Sequence, residues 1–153
     1  MPTLLKVLDQ AVDPAAMDDA TATRLGLKTY SHGTTYNGGV APTVTSSSSG
    51  TWANTRSTFT PYQVQDGTWR LRFNIVGSFS GTSSGQFADV NVNGIAISNE
   101  QAIATFLNSV ASSGAKVYGT NSFRSFLATA STYDRGVYYS GDVELASKPT
   151  WAY

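Results

Sequence analysis

The chain holds one histidine, His32, and no cysteine. A Ser-His-Asp triad would have to use His32, and a zinc site would have to form around it without a thiolate. His32 lies in Tyr30-Ser-His32-Gly33-Thr-Thr-Tyr36-Asn37-Gly38-Gly39-Val40, a stretch rich in Gly, Ser and Thr. It reads there as a loop histidine. Paired carboxylates are the other route to acid–base chemistry, because glycosidases flank one bond with two of them. Beyond residue 50 the chain offers Asp66, Asp89, Glu100, Asp134, Asp142 and Glu144. Asp66 precedes Gly67 and suits a turn. Glu100 suits the first turn of a helix, where negative charge is favoured. Asp142 and Glu144 share one strand face, about 7 Å apart at two residues' rise. That spacing admits an inverting pair, but a wet strand face explains it as simply. Asp89 and Asn91 could join them as oxygen ligands for calcium, though without EF-hand spacing. Gly33-Thr-Thr-Tyr-Asn-Gly38 lacks the Gly-Lys-Ser/Thr ending of a phosphate loop. These residues predict no catalytic, cofactor or metal site.

Aromatic residues are the better binding candidates. Tyr133, Tyr138, Tyr139, Trp151 and Tyr153 crowd the end of the chain. Exposed Tyr and Trp stack on sugar rings or anchor protein interfaces. Tyr139 falls on the apolar face of its strand and is expected in the core. Tyr133, Tyr138, Trp151 and Tyr153 are the interface or ligand candidates.

Composition narrows the class. Of 153 residues only 13% are charged, and the formal net charge is zero. That is about half the usual charged share, and Ser plus Thr make up roughly a quarter of the chain instead. Arg70 and Arg72 come nearest to a basic patch, so no nucleic-acid partner is expected. No apolar run is long enough to span a membrane. The opening Met1-Pro-Thr-Leu-Leu-Lys-Val-Leu lacks a basic flank and a small-residue cleavage site, so the expectation is a chain made in a cytoplasm and kept whole.

The elements that position these residues follow from periodicity. Trp69, Leu71, Phe73, Ile75 and Phe79 alternate with Arg70, Arg72, Asn74 and Ser78, the pattern of a strand buried on one face. Asp66-Gly67 predicts a hairpin turn before it. Ala88, Val90 and Val92 predict a second strand, with Asn93-Gly94 as turn or bulge before Ile95 and Ile97. Ser98 and Gln101 form a capping-box pattern. Ile103, Phe106, Leu107 and Val110 then follow at helical spacing, so a helix is expected over Asn99 to Ser112, with Gly114 as its stop. Lys116 to Tyr118 reads as a short strand, and Phe123 to Ser131 shows no clean period. Val137, Tyr139, Val143 and Leu145 alternate with Tyr138, Ser140, Asp142 and Glu144 in a last strand. Near the N-terminus, Asp13-Pro14 reads as an N-cap and first helical position, with Ala15 to Arg24 a short helix stopped near Gly26. Residues 29 to 60 have the composition of a loop or linker. The expected fold is mainly β: an antiparallel, jelly-roll-like β-sandwich over 51–153 with one short helix, preceded by an extended anchoring arm over 1–50.

The series Tyr62…Asp66-Gly67-Thr-Trp69-Arg-Leu-Arg-Phe-Asn-Ile75, Gly77-Ser-Phe79-Ser-Gly81 and Val90-Asn-Val92-Asn-Gly94-Ile95 resembles a β-sandwich module of tailed-phage virion proteins. The ending Gly141-Asp-Val-Glu-Leu-Ala-Ser-Lys148-Pro-Thr-Trp151-Ala is similar to the closing strand of such modules. The resemblance covers roughly 55–100 and 135–153. It implies a non-enzymatic structural protein of the virion that associates as a homotrimer and attaches to capsid or tail proteins through its N-terminal part. A capsid decoration or head-fibre role is the leading expectation. A tail-fibre tip recognising a host surface glycan or protein is the second, and a glycan depolymerase the third.

Overall fold

The computed structural model describes residues 17–46, 51–53, 55–80, 87–107, 112–127 and 135–153. Ten strands, one short α-helix, α1 (Asp19–Arg24), and one 3-10 turn (Asn37–Gly39) make up the described elements. The fold is mainly β, an antiparallel sheet curled into a half-barrel. The strands are β1 (Tyr30–Ser31), β2 (Val44–Ser46), β3 (Thr51–Ala53), β4 (Thr58–Gln63), β5 (Trp69–Ser80), β6 (Phe87–Val92), β7 (Gln101–Leu107), β8 (Ser112–Tyr118), β9 (Ser122–Leu127) and β10 (Arg135–Leu145). They follow the order β1-β4-β5-β10-β7-β8-β9-β6-β2, with β3 beside the far end of β5. The mainly β, antiparallel fold with one short helix is as expected, its strands running in one continuous order.

The β4–β5 hairpin forms where Asp66-Gly67 predicts it. Gln63 pairs with Trp69. Gly67 takes a φ of +90°, and Asp66 Oδ1 accepts from the Thr68 amide at 2.8 Å. That bond holds the Asp66 carboxyl below its usual range. Leu71, Phe73 and Ile75 are buried, as the alternation requires, while Arg72 and Asn74 are exposed. All of β10 pairs with β5, from Arg135 opposite Phe79 to Leu145 opposite Trp69. Val137, Tyr139, Val143 and Leu145 are buried with them. This ladder is the spine of the core.

Gln101 to Leu107 is a strand, which corrects the helix expected over Asn99 to Ser112. Ile103 and Thr105 are half-buried and Ala102 and Ala104 exposed, so a period of two operates where the apolar spacing suggested one of 3.6. Alanine favours helix, but a vacant strand position beside β10 overrides so weak a preference. β7 pairs with β8 through Gln101–Ile103 and with β10 through Ala104–Leu107. Where β7 leaves β10, the Gln101 side chain takes over the ladder. Its Oε1 accepts from the Glu144 amide at 2.8 Å, and its Nε2 donates to the Glu144 carbonyl at 3.1 Å. Ser98 Oγ donates to Glu144 Oε1 at 3.0 Å. The Ser98/Gln101 pattern is thus a clamp on β10, not a capping box. Glu100 pairs with Lys116 at 2.9 Å, and Gly114 lies within β8 at a register shift.

Residues 17–46 pack into the same core. Helix α1 begins later than Ala15, because Asp18 is its N-cap and accepts from the Thr21 amide at 2.7 Å. Asp13-Pro14 lies outside the described residues. The helix ends before Gly26, as expected. It buries Ala22 and Thr23, while Leu25 is 52% exposed. Tyr30 is fully buried and meets Tyr36, Trp151 and Tyr153 at ring-centroid distances of 4.7, 5.2 and 6.4 Å. Phe59 closes the cluster 5.7 Å from Trp151. The packing of the described residues therefore shows no division near residue 50. β1 and β2 instead occupy the two ends of the strand order.

Candidate functional site

His32 is held by backbone. Its Nδ1 accepts from the Val44 amide at 3.0 Å, and its own amide donates to the Ser57 carbonyl at 2.9 Å. Partial burial lowers its pKa. An Nδ1 that accepts must be unprotonated, so hydrogen bond and burial both favour the neutral ring. His32 fastens β2 to β1 rather than floating in solvent.

The carboxylates are tied across strands. Asp142 Oδ1 accepts from Arg70 Nε at 2.8 Å, and Asp142 Oδ2 accepts from the Tyr62 hydroxyl. Desolvation, then the bond to Asp142, raises the Tyr62 pKa, while the Asp142 bond raises that of Arg70. Glu144 belongs to the Ser98–Gln101 clamp. Asp89 is nearly buried and receives Arg124 at 2.8 and 2.6 Å and the Tyr118 hydroxyl at 2.8 Å. The Arg124 guanidinium also lies 4.3 Å from the centre of the Tyr118 ring. Asn91 accepts from Ser122 Oγ at 2.7 Å. Asp89 and Asn91 on β6 therefore point to Arg124 and Ser122 of β9, not to Asp142 and Glu144 of β10. Among the described residues no three of His, Cys, Asp and Glu come together as a metal site.

The aromatic candidates separate. Trp151 is fully buried, and its Nε1 donates to the Asn93 carbonyl at 2.9 Å. It is a core ring, because Gly94 admits it: a Cβ there would lie 2.7 Å from Trp151 Cδ1. Tyr133 lies outside the described residues. Tyr138 is half-buried on the outer face of β10, and its hydroxyl donates to Asn74 Oδ1 at 2.7 Å. Asn74 also lines a shallow groove of about 250 Å³ with Thr58, Thr60, Arg72, Phe73, Ser140 and Gly141. Arg72 rests over the Tyr62 ring at 4.9 Å. This polar outer face displays hydroxyls, an amide and a guanidinium from three adjacent strands.

Tyr153 occupies a second concavity, of about 260 Å³, where α1, the β4–β5 turn and the end of the chain converge. Trp69 and Tyr153 are its half-buried rings, and Ala20, Thr21, Arg24, Gln63 and Lys148 complete the lining. Lys28 Nζ lies 5.1 Å from the centre of the Tyr153 ring and 2.7 Å from Asp19. The Asp19 bond raises the Lys28 pKa. The alternation places Trp69 in the core, where nothing marks it as pocket-forming; Arg24 and Lys148 carry no local motif. Only the fold brings them together.

Comparison with family models, curated proteins and solved structures gave no match. The chemistry of these surfaces is therefore the ground for function.

Proposed function

We propose that this chain is a non-enzymatic structural protein of a virion, a capsid decoration or head-fibre module that acts by presenting a folded β surface. The observation that carries this reading is the commitment of its chemistry-bearing groups to cross-strand bonds. Asp142 is tied to Arg70 and Tyr62, Asp89 to Arg124 and Tyr118, Glu144 to Ser98, and His32 to the Val44 amide. A general acid or base must exchange its proton with a substrate, and these groups serve the sheet instead. The sequence resemblance to tailed-phage modules supplies the class of assembly. In this reading the part of residues 1–50 that is folded offers its outer surface, with the edge strands β1 and β2, to capsid or tail proteins. The assembled form is a homotrimer, in which symmetric contacts cover surface that one copy exposes.

Particles lacking the protein test the reading. Loss of capsid robustness to heat or low salt with normal adsorption to host cells is the expected result. The groove beside Asn74, the partner of Tyr138, favours one second reading, a tail-fibre tip that recognises a host glycan or protein. An adsorption defect with normal capsid robustness would select it. Glycan cleavage that disappears in Glu144→Gln would overturn both.

A further inference from the structure

We propose that the concavity between α1, the β4–β5 turn and the chain end binds an acidic sugar unit, its ring against Trp69 and Tyr153 and its carboxylate at Arg24 and Lys148. The inference does not depend on the virion reading. Its first support is the lining. Two half-buried aromatic rings share one concavity with two exposed cations. Aromatic faces take the apolar face of a pyranose, and a guanidinium or ammonium takes a carboxylate in a charge-assisted bond.

The second support is that neither cation is held in a close ion pair. Arg24 and Lys148 have no ion pair among the described residues, whereas Arg70, Arg124, Lys116 and Lys28 each do. Asp19, on the same helix, is engaged by Lys28 at 2.7 Å. The N-cap Asp18 accepts from Thr21 at 2.7 and 3.0 Å and acts on Arg24 only through space.

Size and polar partners narrow the ligand further. A volume of about 260 Å³ falls below the roughly 300 Å³ at which pockets for drug-sized ligands begin. That volume suits a single sugar ring. Gln63 anchors its Nε2 on the Gly67 carbonyl at 2.8 Å, which leaves its Oε1 to accept from a sugar hydroxyl. The hairpin turn thus orients a polar group at the edge of the aromatic pair. A neutral sugar would leave the cations idle, and a simple anion would leave the rings idle.

Titration of the full chain with sodium D-glucuronate, followed by the indole N–H resonances of its three tryptophans, tests the proposal. Trp151 is the internal reference, because its indole is buried and bonded to Asn93. The Trp69 resonance should move with a dissociation constant on the order of 1 mM, with D-glucose and acetate each at least about tenfold weaker. Arg24→Ala with Lys148→Ala should reduce glucuronate to the level of glucose. Both residues are exposed, so the reference resonance and the unfolding midpoint should not change. Glucose binding as well as glucuronate, acetate alone reproducing the shift, or undiminished binding in the double variant would each overturn the proposal. So would an unmoved Trp69 resonance at saturating concentrations.

Discussion

The β5–β10 ladder and the segment 29–46 reach the same core by different physics. In the ladder, every second residue is apolar and its register is set by burial. A slip of one residue would turn Leu71, Phe73, Val143 and Tyr139 to solvent. The segment 29–46 has few large aliphatics and is held by individual polar bonds to distant residues. Asn93 Oδ1 accepts from the Thr43 amide at 2.6 Å, and its Nδ2 donates to the Ala41 carbonyl at 3.0 Å. Asn37 donates to the Ala152 carbonyl at 3.1 Å. The Tyr36 hydroxyl accepts from the Ser31 amide, and the Tyr30 hydroxyl accepts from the Tyr153 amide, both at 3.0 Å. Thr23 bonds the same Tyr30 hydroxyl from α1. A Gly- and Ser-rich stretch can therefore be an integral part of a fold when other segments supply its partners.

The largest expected effects test whether the two regions form one body. Phe73→Ala removes a ring from the ladder and Trp151→Ala one from the cluster around Tyr30, and each should cost about 3–5 kcal/mol. Chemical denaturation should show a single transition lowered in both variants. A Trp151→Ala midpoint equal to that of the parent would separate the regions. Asn93→Ala should cost less, about 1–3 kcal/mol, because it leaves the Thr43 amide and the Ala41 carbonyl without their partner.

His32 sharpens the comparison through pH. Its folded pKa is lowered, so the unfolded chain takes up a proton more readily than the folded one. Its contribution is fully present above the unfolded value of about 6.5 and declines as pH falls from there toward the folded value. Midpoints measured across that window should decline in the parent more than in His32→Ala. An identical slope in both would show that the Val44 bond does not discriminate between the protonation states. Arg72→Ala, on the wet face of the ladder, should change stability by no more than about 1 kcal/mol. A loss equal to that of Phe73→Ala would mean that the strand register is wrong.

What could be read in the sequence tracks this difference in physics. The hairpin at Asp66-Gly67, the strand from Trp69 and the closing strand around Tyr139 follow from local alternation and turn chemistry. β9 showed no clean period because a serine takes a core position. Ser125 is fully buried, and its hydroxyl donates to Tyr139 at 2.7 Å. β7 reads as a helix in the sequence because Ile103, Phe106 and Leu107 satisfy a helical spacing that the neighbouring strand β10 overrides. The candidate site was legible only in Tyr153. Trp69 carries a core pattern, and the convergence of Arg24, Gln63 and Lys148 depends on contacts between segments far apart in the chain.

The central claim is that residues 29–46 belong to the same folded body as the β5–β10 ladder. Native-state hydrogen exchange of the full chain tests it at single amides. The His32, Thr43 and Val44 amides donate to Ser57, Asn93 and His32 respectively. They should show protection of the same class as the Leu71 and Val143 amides and lose it together with them as denaturant is raised. Exchange of those three amides at unprotected rates, with Leu71 and Val143 still protected, would contradict the account and restore a detached arm.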